Sequence, residues 1–168
     1  MNAITSRIVA TTLLIFAVQS GWAEEMAHRT TAVAHKDHIM VTPKEIKWGE
    51  CPPFLPPGAK CAIIQGDPQV SNVLFTIRSR MPDNYKLPPH FHSADEHLTV
   101  ISGTFMMGLG EKSDDKAMKP MTVGSFMVMP KGAPHFAKTR GETVLQVHAV
   151  GPLDFIYVNP ADDPSRKR

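Results

Sequence analysis

The chain has 168 residues, with 18 Lys and Arg against 16 Asp and Glu, and 42% of its residues are hydrophobic. This ordinary globular composition excludes a wholly disordered chain, and the near-neutral charge gives no electrostatic basis for binding nucleic acid. The length fits a single domain, and 15 prolines with 11 glycines leave little room for long helices.

The first 23 residues have the pattern of a secretory signal peptide. Arg7 precedes an apolar stretch from Ile8 to Val18, and the small residues Gly21 and Ala23 stand where a signal peptidase cuts. An uncleaved membrane anchor is the weaker alternative, because a spanning helix needs about 20 apolar residues. We expect cleavage after Ala23 and a periplasmic or secreted protein with no membrane segment after cleavage.

Export bears on the two cysteines, Cys51 and Cys61. An even number of cysteines in an oxidising compartment favours a disulfide, and the alternative is a pair of small buried apolar side chains. The proline-rich segment between them is stiff, so it would either hold the two cysteines in position to form a disulfide or keep them apart. The pair is therefore a disulfide candidate whose geometry the sequence leaves open.

Residues 24–41 are polar and non-periodic, and we interpret them as a flexible N-terminal arm. The histidines of this segment are His28, His35 and His38. A role in catching metal is the less favoured alternative, because chain termini are usually loose and solvated.

A short helical turn and then many strands are predicted after the arm. Thr42-Pro43-Lys44-Glu45 combines an N-cap, a proline at the first helical position and an acidic residue three positions after the cap. Short apolar segments with Gly and Pro turns then predict an antiparallel sandwich or barrel over residues 42–160, followed by a polar tail at 161–168. The predicted strands are 62–65, 70–80, 98–101, 104–109, 125–129, 143–150 and 155–158, and the predicted loops include 81–89 and 110–120.

Two clusters carry candidate metal ligands. In the first, His90 and His92 are two residues apart, so an extended chain puts both imidazoles on one face. A short turn then leads to Glu96 and His97, which are adjacent, so only one of them can share that face. In the second, a strand ends in a Pro/Gly turn that delivers His135. Imidazoles with a carboxylate suit first-row transition metals and leave coordination positions open.

The spacing of these residues resembles that of the cupin family. The stretch His90-x-His92-x3-Glu96-x6-Gly103 resembles the first cupin motif, and Gly124-x5-Pro130-x-Gly132-x2-His135 resembles the second. The departures are Asn84, where the family often has Gly, and Thr139, where it often has Asn. Neither departure is a ligand, and Asn tolerates the left-handed turn geometry that favours Gly.

The resemblance implies an all-β, cupin-type jelly-roll β-barrel with a short N-terminal helical turn, in a small, single-domain, secreted metal-binding protein. It implies His90, His92, Glu96 and His135 as ligands of one divalent transition metal, and it leaves His97 a structural residue. Iron, manganese, zinc, nickel and copper all suit such a set, and the order of affinities does not choose among them.

Gln146 and His148 share one face of the predicted strand 143–150. Facing inward, they would lie near the metal and orient a substrate or a water. Facing outward, they would be ordinary surface. The apolar residues of this strand occupy both faces, so the alternatives stay open.

The resemblance implies an exported protein that acts on a small organic molecule by metal-assisted, dioxygenase-like chemistry. The alternative is a non-catalytic periplasmic cupin that binds a small molecule or a metal. Because small cupins commonly pair, we expect a homodimer, with no nucleic-acid partner.

Overall fold

The structure is a computed structural model that describes residues 38–167. The predicted signal peptide and most of the predicted arm, with His28 and His35, lie outside the described residues. Nine strands are described: β1 Gly49–Glu50, β2 Lys60–Gln65, β3 Leu74–Met81, β4 Lys86–Phe91, β5 Glu96–Leu109, β6 Lys119–Met121, β7 Phe126–Met129, β8 His135–Val150 and β9 Ile156–Tyr157. Short 3₁₀ turns cover Pro43–Glu45, Pro160–Asp162 and Pro164–Lys167. Among the described residues, no helix has the length and apolar character needed to cross a membrane.

Two long antiparallel strands, β5 and β8, form the centre of the sheet. On the edge away from β5, the C-terminal half of β8 pairs with β3 and its N-terminal half pairs with β4. On the edge away from β8, β5 pairs first with β7 and then with β6. Strands β2 and β1 extend the sheet beyond β3, and β9 extends it beyond β4. This all-antiparallel arrangement confirms the predicted all-β jelly roll.

A bend at Gly103 lets β5 serve both halves of the barrel. Val100 and Phe105 are five positions apart, so a regular strand would place them on opposite faces. Both are nevertheless buried, because the register with β8 shifts between Val100 and Thr104. Gly103 has φ of 77°, and a Cβ atom there would lie 2.4 Å from the carbonyl oxygen of Glu142. Only glycine fits this position. The segments predicted as two strands, 98–101 and 104–109, are therefore one bent strand.

Several predicted boundaries differ from the structure, chiefly those around β4 and β8. The segment 81–89, predicted as a loop, contains most of β4, and the register of β4 shifts between Leu87 and His90, where Pro88 and Pro89 interrupt the ladder because proline has no N–H group. Strand β8 begins at His135, before the predicted start at 143, and includes polar outward-facing residues that hid its pattern.

The predicted helical turn is present as the 3₁₀ turn Pro43–Glu45. Both the backbone N–H and the hydroxyl of Thr42 donate to Glu45 Oε2 at 2.7 Å. These bonds favour the charged form and lower the pKa of Glu45. The capping box read from the sequence thus fixes the start of the described domain.

The two departures from the cupin pattern lie at one corner of the barrel. Asn84 adopts the left-handed conformation, with φ of 58°, in the turn before β4. Thr139 is fully buried on β8, where its hydroxyl donates to the carbonyl of Pro82 at 2.6 Å and accepts from the Tyr85 N–H at 2.8 Å. One threonine hydroxyl therefore holds both ends of the turn that Asn84 makes.

Replacing Thr139 by valine is expected to lower the free energy of unfolding by about 2 kcal/mol, because valine keeps the volume but leaves the buried Tyr85 N–H and the Pro82 carbonyl without their partner. Urea unfolding would measure the change. Thr76→Val on the outer face of β3 is the matched control and should change stability little. Equal stability of Thr139→Val and the unmodified protein would contradict this role.

Candidate metal centre

Three strands bring the four predicted ligands together inside the barrel. His90 lies on β4 and pairs in register with His135, the first residue of β8. His92 follows the end of β4, and Glu96 opens β5. The three histidines expose 2–3% of their surface and Glu96 exposes 8%. The ligand atoms of the three histidines lie within 4.8 Å of one another, which is close enough for one ion to contact all three.

Backbone carbonyl oxygens orient all three imidazoles. The Nδ1 atoms lie 2.7 Å from the carbonyl oxygen of Pro88 for His90, 2.7 Å from that of Asp154 for His92, and 3.0 Å from that of Ala133 for His135. A carbonyl oxygen only accepts, so each Nδ1 carries the proton and donates. In the neutral form this leaves the lone pair on Nε2, the tautomer that a metal site requires.

Hydrogen bonds tie the second motif to the first. The Gly132 N–H donates to the carbonyl of His92 at 2.9 Å, and the Lys131 N–H donates to Asp95 Oδ1 at 2.8 Å. Gly132 has φ of 73°, so the turn that precedes His135 uses the left-handed conformation that glycine permits. The glycine of the second motif thus secures the chain beside a ligand of the first.

Glu96 contacts the histidines from the side of β5. Its Oε2 lies 3.2 Å from His92 Nε2 and 3.8 Å from His135 Nε2. The nearer contact is misaligned for a hydrogen bond, and within residues 38–167 the buried Nε2 of His92 has no hydrogen-bond partner. A buried nitrogen without a partner is costly in a folded protein. An ion held by His90, His92, Glu96 and His135 would satisfy it, so these residues fit a first-row transition metal.

Burial controls the protonation of the cluster. Desolvation, reinforced by the nearby His135, lowers the pKa of His90 well below its usual value, and desolvation also lowers the pKa of His135. For His92 burial acts in the same direction, but the Glu96 carboxylate and the Asp154 carbonyl outweigh it and raise the pKa. His90 and His135 are thus neutral near pH 7 and ready to act as ligands.

The cluster of predicted ligands opens into an apolar cavity of about 620 Å³. All four predicted ligands line it, together with side chains from β3, β5 and β8 such as Ile77, Met81, Leu98, Phe105, Leu145 and Val147. The volume lies within the range of cavities that hold a small organic ligand. The site therefore combines a few polar groups at one place with an apolar chamber.

The segment between the two cysteines, residues 51–61, forms one wall of this cavity and is named here the disulfide loop. Cys51 and Cys61 are joined by a disulfide. Two buried tyrosines hold the loop from the barrel side: Tyr157 donates its hydroxyl to the carbonyl of Phe54 at 2.7 Å, and Tyr85 donates to the carbonyl of Pro56. The loop is thus fixed over the cavity at its ends and in its middle.

Phe155 is a site residue that the sequence did not single out. Its ring stacks on the His90 imidazole, with centroids 3.9 Å apart and an interplanar angle of 13°. It also stacks with Phe54 of the disulfide loop, with centroids 5.7 Å apart. Phe155 precedes β9, which pairs with β4 at His90 and Phe91. Only this long-range pairing brings it to the site, so no local signal was available.

Gln146 and His148 lie on the outer face of β8. Their neighbours Leu145 and Val147 line the cavity, and alternate residues of a strand point to opposite sides. Gln146 accepts a hydrogen bond from Arg78 at 3.0 Å, and His148 stacks against His97. Neither side chain reaches the cavity, so the outward alternative describes them and they do not orient a bound molecule. His97 also faces outward, as predicted.

Comparisons with known proteins agree with this fold. A family model described as a domain of unknown function (DUF4437) matches residues 74–162. The polyketide cyclase RemF from Streptomyces resistomycificus superposes with a TM-score of 0.61 at 18% identity, covering 76% of this chain and 89% of that one. An RmlC-like cupin from Shewanella frigidimarina gives 0.52 at 12% identity, covering 68% and 91%.

A salicylate 1,2-dioxygenase from Pseudaminobacter salicylatoxidans gives a TM-score of 0.51 at 13% identity, covering 64% of this chain and 33% of that one. No match is found among curated protein sequences. At these identities the solved structures establish the cupin fold and leave the reaction open.

Proposed function

The chain belongs to the DUF4437 family and has the cupin fold, and from that premise we propose that it is an exported metal-binding protein acting on a small organic molecule. The chemistry we propose is metal-assisted and dioxygenase-like, at a site of three histidines and one glutamate. The observation that carries the proposal is the buried cluster of His90, His92 and His135, in which one nitrogen of His92 has no hydrogen-bond partner among the described residues 38–167.

The residues of the cluster have separable tasks. His90, His92 and His135 present Nε2 lone pairs because backbone carbonyls hold each Nδ1 proton. Glu96 adds a negative charge beside two of them, which supports a divalent cation. A bound divalent first-row metal supplies a Lewis acid for an oxygen donor of the substrate, and for iron, manganese or copper it also supplies redox chemistry.

The cavity favours a small apolar substrate with one or two oxygen donors. Its walls are mostly apolar, its volume is about 620 Å³, and the stacked rings of Phe155 and Phe54 stand beside His90. Planar molecules pack well against aromatic faces, and the polar cluster gives an oxygen donor its one favourable position. Small phenols and dicarbonyl compounds combine these properties.

The disulfide loop covers one side of the cavity through Cys51, Pro52, Phe54 and Leu55. A bound molecule that displaces water from this apolar cavity would feel the charge of Glu96 and the imidazole dipoles more strongly than it would in water.

Export and pairing are part of the proposal. The signal-peptide pattern of the first 23 residues and the disulfide between Cys51 and Cys61 both support a periplasmic or secreted location. A homodimer is supported by exposed apolar side chains on the outer strands, of which Phe126 is 55% exposed.

Oxygen uptake across a panel of small phenols and dicarbonyls tests the function. The protein loaded in turn with ferrous iron, manganese or copper is expected to consume oxygen with at least one member, and His135→Ala should abolish uptake. Gln146→Ala, which alters the outer face of the same strand, is the matched control and should retain it. Uptake that survives His135→Ala would contradict the proposed site.

The alternative function is a non-catalytic binder of a small molecule or a metal. Binding of panel members to the loaded protein, measured by calorimetry without any oxygen uptake or product, would favour it. A binding-only site would favour a further protein group that fills the open side of the cluster. His148, which would lie near the metal if it faced inward, is on the outer face of β8 and does not do this, which supports the catalytic proposal over this one.

A further inference from the structure

A second group of metal-binding side chains lies on the outer face of the sheet. His97 on β5 and His148 on β8 are direct partners across the two strands. Their rings are nearly parallel, with centroids 5.2 Å apart and an interplanar angle of 24°. Both side chains are half-buried, so they are held in place and still reachable from solvent.

Asp95 adds a carboxylate to this pair. A surface depression of about 330 Å³ is lined by Asp95, His97 and His148, with Leu74 and Val150 at its apolar side. Asp95 Oδ1 accepts a hydrogen bond from the Lys131 N–H at 2.8 Å. The carboxylate is thus anchored beside the imidazoles.

The geometry points to a second, separate binding site for a divalent transition metal at the imidazoles of His97 and His148, with the Asp95 carboxylate in the lining of the same depression. Directly opposed residues on antiparallel strands have Cβ atoms about 4.5–5.5 Å apart, so turning the two stacked rings about their side-chain bonds would let a nitrogen of each reach one ion. A pair of imidazole nitrogens suits zinc, nickel and copper, and exposure leaves the remaining positions to water.

This outer site differs in kind from the buried centre. Glu96 lines the cavity inside the barrel, whereas His97 lines the depression outside it, because successive residues of a strand face opposite sides. Asp95, which precedes β5, lines the same outer depression. The two sites therefore lie on opposite faces of the start of β5 and share no ligand. Metal binding at the outer site therefore does not depend on metal binding at the buried centre.

Zinc titration of two variants tests the outer site. In calorimetry with zinc chloride, His135→Ala should retain a binding event that His135→Ala/His148→Gln loses or binds more than about tenfold more weakly. Zinc bound by the histidines of the N-terminal arm would be the same in both variants, so it does not affect the difference between their titrations. His135→Ala/Gln146→Ala is the matched control and should titrate like His135→Ala. Identical titrations with and without His148 would overturn the proposal.

A measurement on the unmodified protein covers the case in which the double variant fails to fold. With the buried centre already filled, added zinc should shift the imidazole NMR resonances of His97 and His148 together, in one saturating transition. Resonances of both rings that stay unmoved up to millimolar zinc would overturn the outer site. This result is independent of any oxygen chemistry at the buried centre.

Discussion

Replacing His135 by alanine is expected to remove most of the tightly bound metal from the protein. Its imidazole is buried, its Nδ1 is fixed by the Ala133 carbonyl, and it comes from β8 while the other ligands come from β4 and β5. Loss of a residue that merely supports a ligand costs about 10–100-fold in metal affinity. Loss of the ligand itself should cost more than about 100-fold, which corresponds to more than about 2.8 kcal/mol.

Elemental analysis of protein purified from its native compartment and dialysed against a weak chelator would measure this change. The unmodified protein should carry about one first-row metal per chain in the buried centre, and the variant should carry little. His148→Gln removes an imidazole from the same strand without touching the cavity, so it should retain the tightly bound metal. Full metal retention by a folded His135→Ala protein would place the site elsewhere.

Removing the disulfide is expected to lower the free energy of unfolding by about 2.5–3 kcal/mol. Cys51 and Cys61 close a loop with a sequence separation of 10, and the loss of closure entropy from an unfolded chain of that span has this size. The variant is Cys51→Ala/Cys61→Ala, and urea unfolding under oxidising conditions is the measurement. The two tyrosine bonds to the loop remain, so the native barrel should persist.

Reductant supplies the control for the disulfide prediction. Dithiothreitol should destabilise the unmodified protein by a similar amount and leave the double-alanine variant unaffected. Because the loop also covers the cavity, the same treatment should weaken binding of an apolar ligand. An unmodified protein whose stability does not respond to reductant would contradict the stabilising role of this disulfide.

The residues that the structure brings together at the buried centre were predictable because their signals are local. His90 and His92 share a face through their spacing, and the turns before Glu96 and His135 are marked by small residues, Pro and Gly. The barrel itself was predictable from repeated short apolar segments. Each motif and the barrel need only neighbouring residues, whereas the meeting of His135 with the first motif was implied by the resemblance to the cupin pattern.

The surroundings of the centre were not predictable because they depend on contacts between distant segments. Phe155 reaches His90 only through the pairing of β9 with β4. The facing of His148 was open because outward Val144 and inward Val147 are both apolar, and the sheet register decides between them. Strand β4 was missed because Pro88 and Pro89 normally argue against a strand interior.

The most direct test of the central claim is a crystal structure of the metal-loaded protein with diffraction data collected at the absorption edge of the metal. The account predicts an anomalous peak inside the barrel, bonded to Nε2 of His90, His92 and His135 at about 2.0–2.1 Å and to a carboxylate oxygen of Glu96 at about 2.0–2.2 Å. A fully loaded protein with no anomalous peak between these four side chains would contradict it.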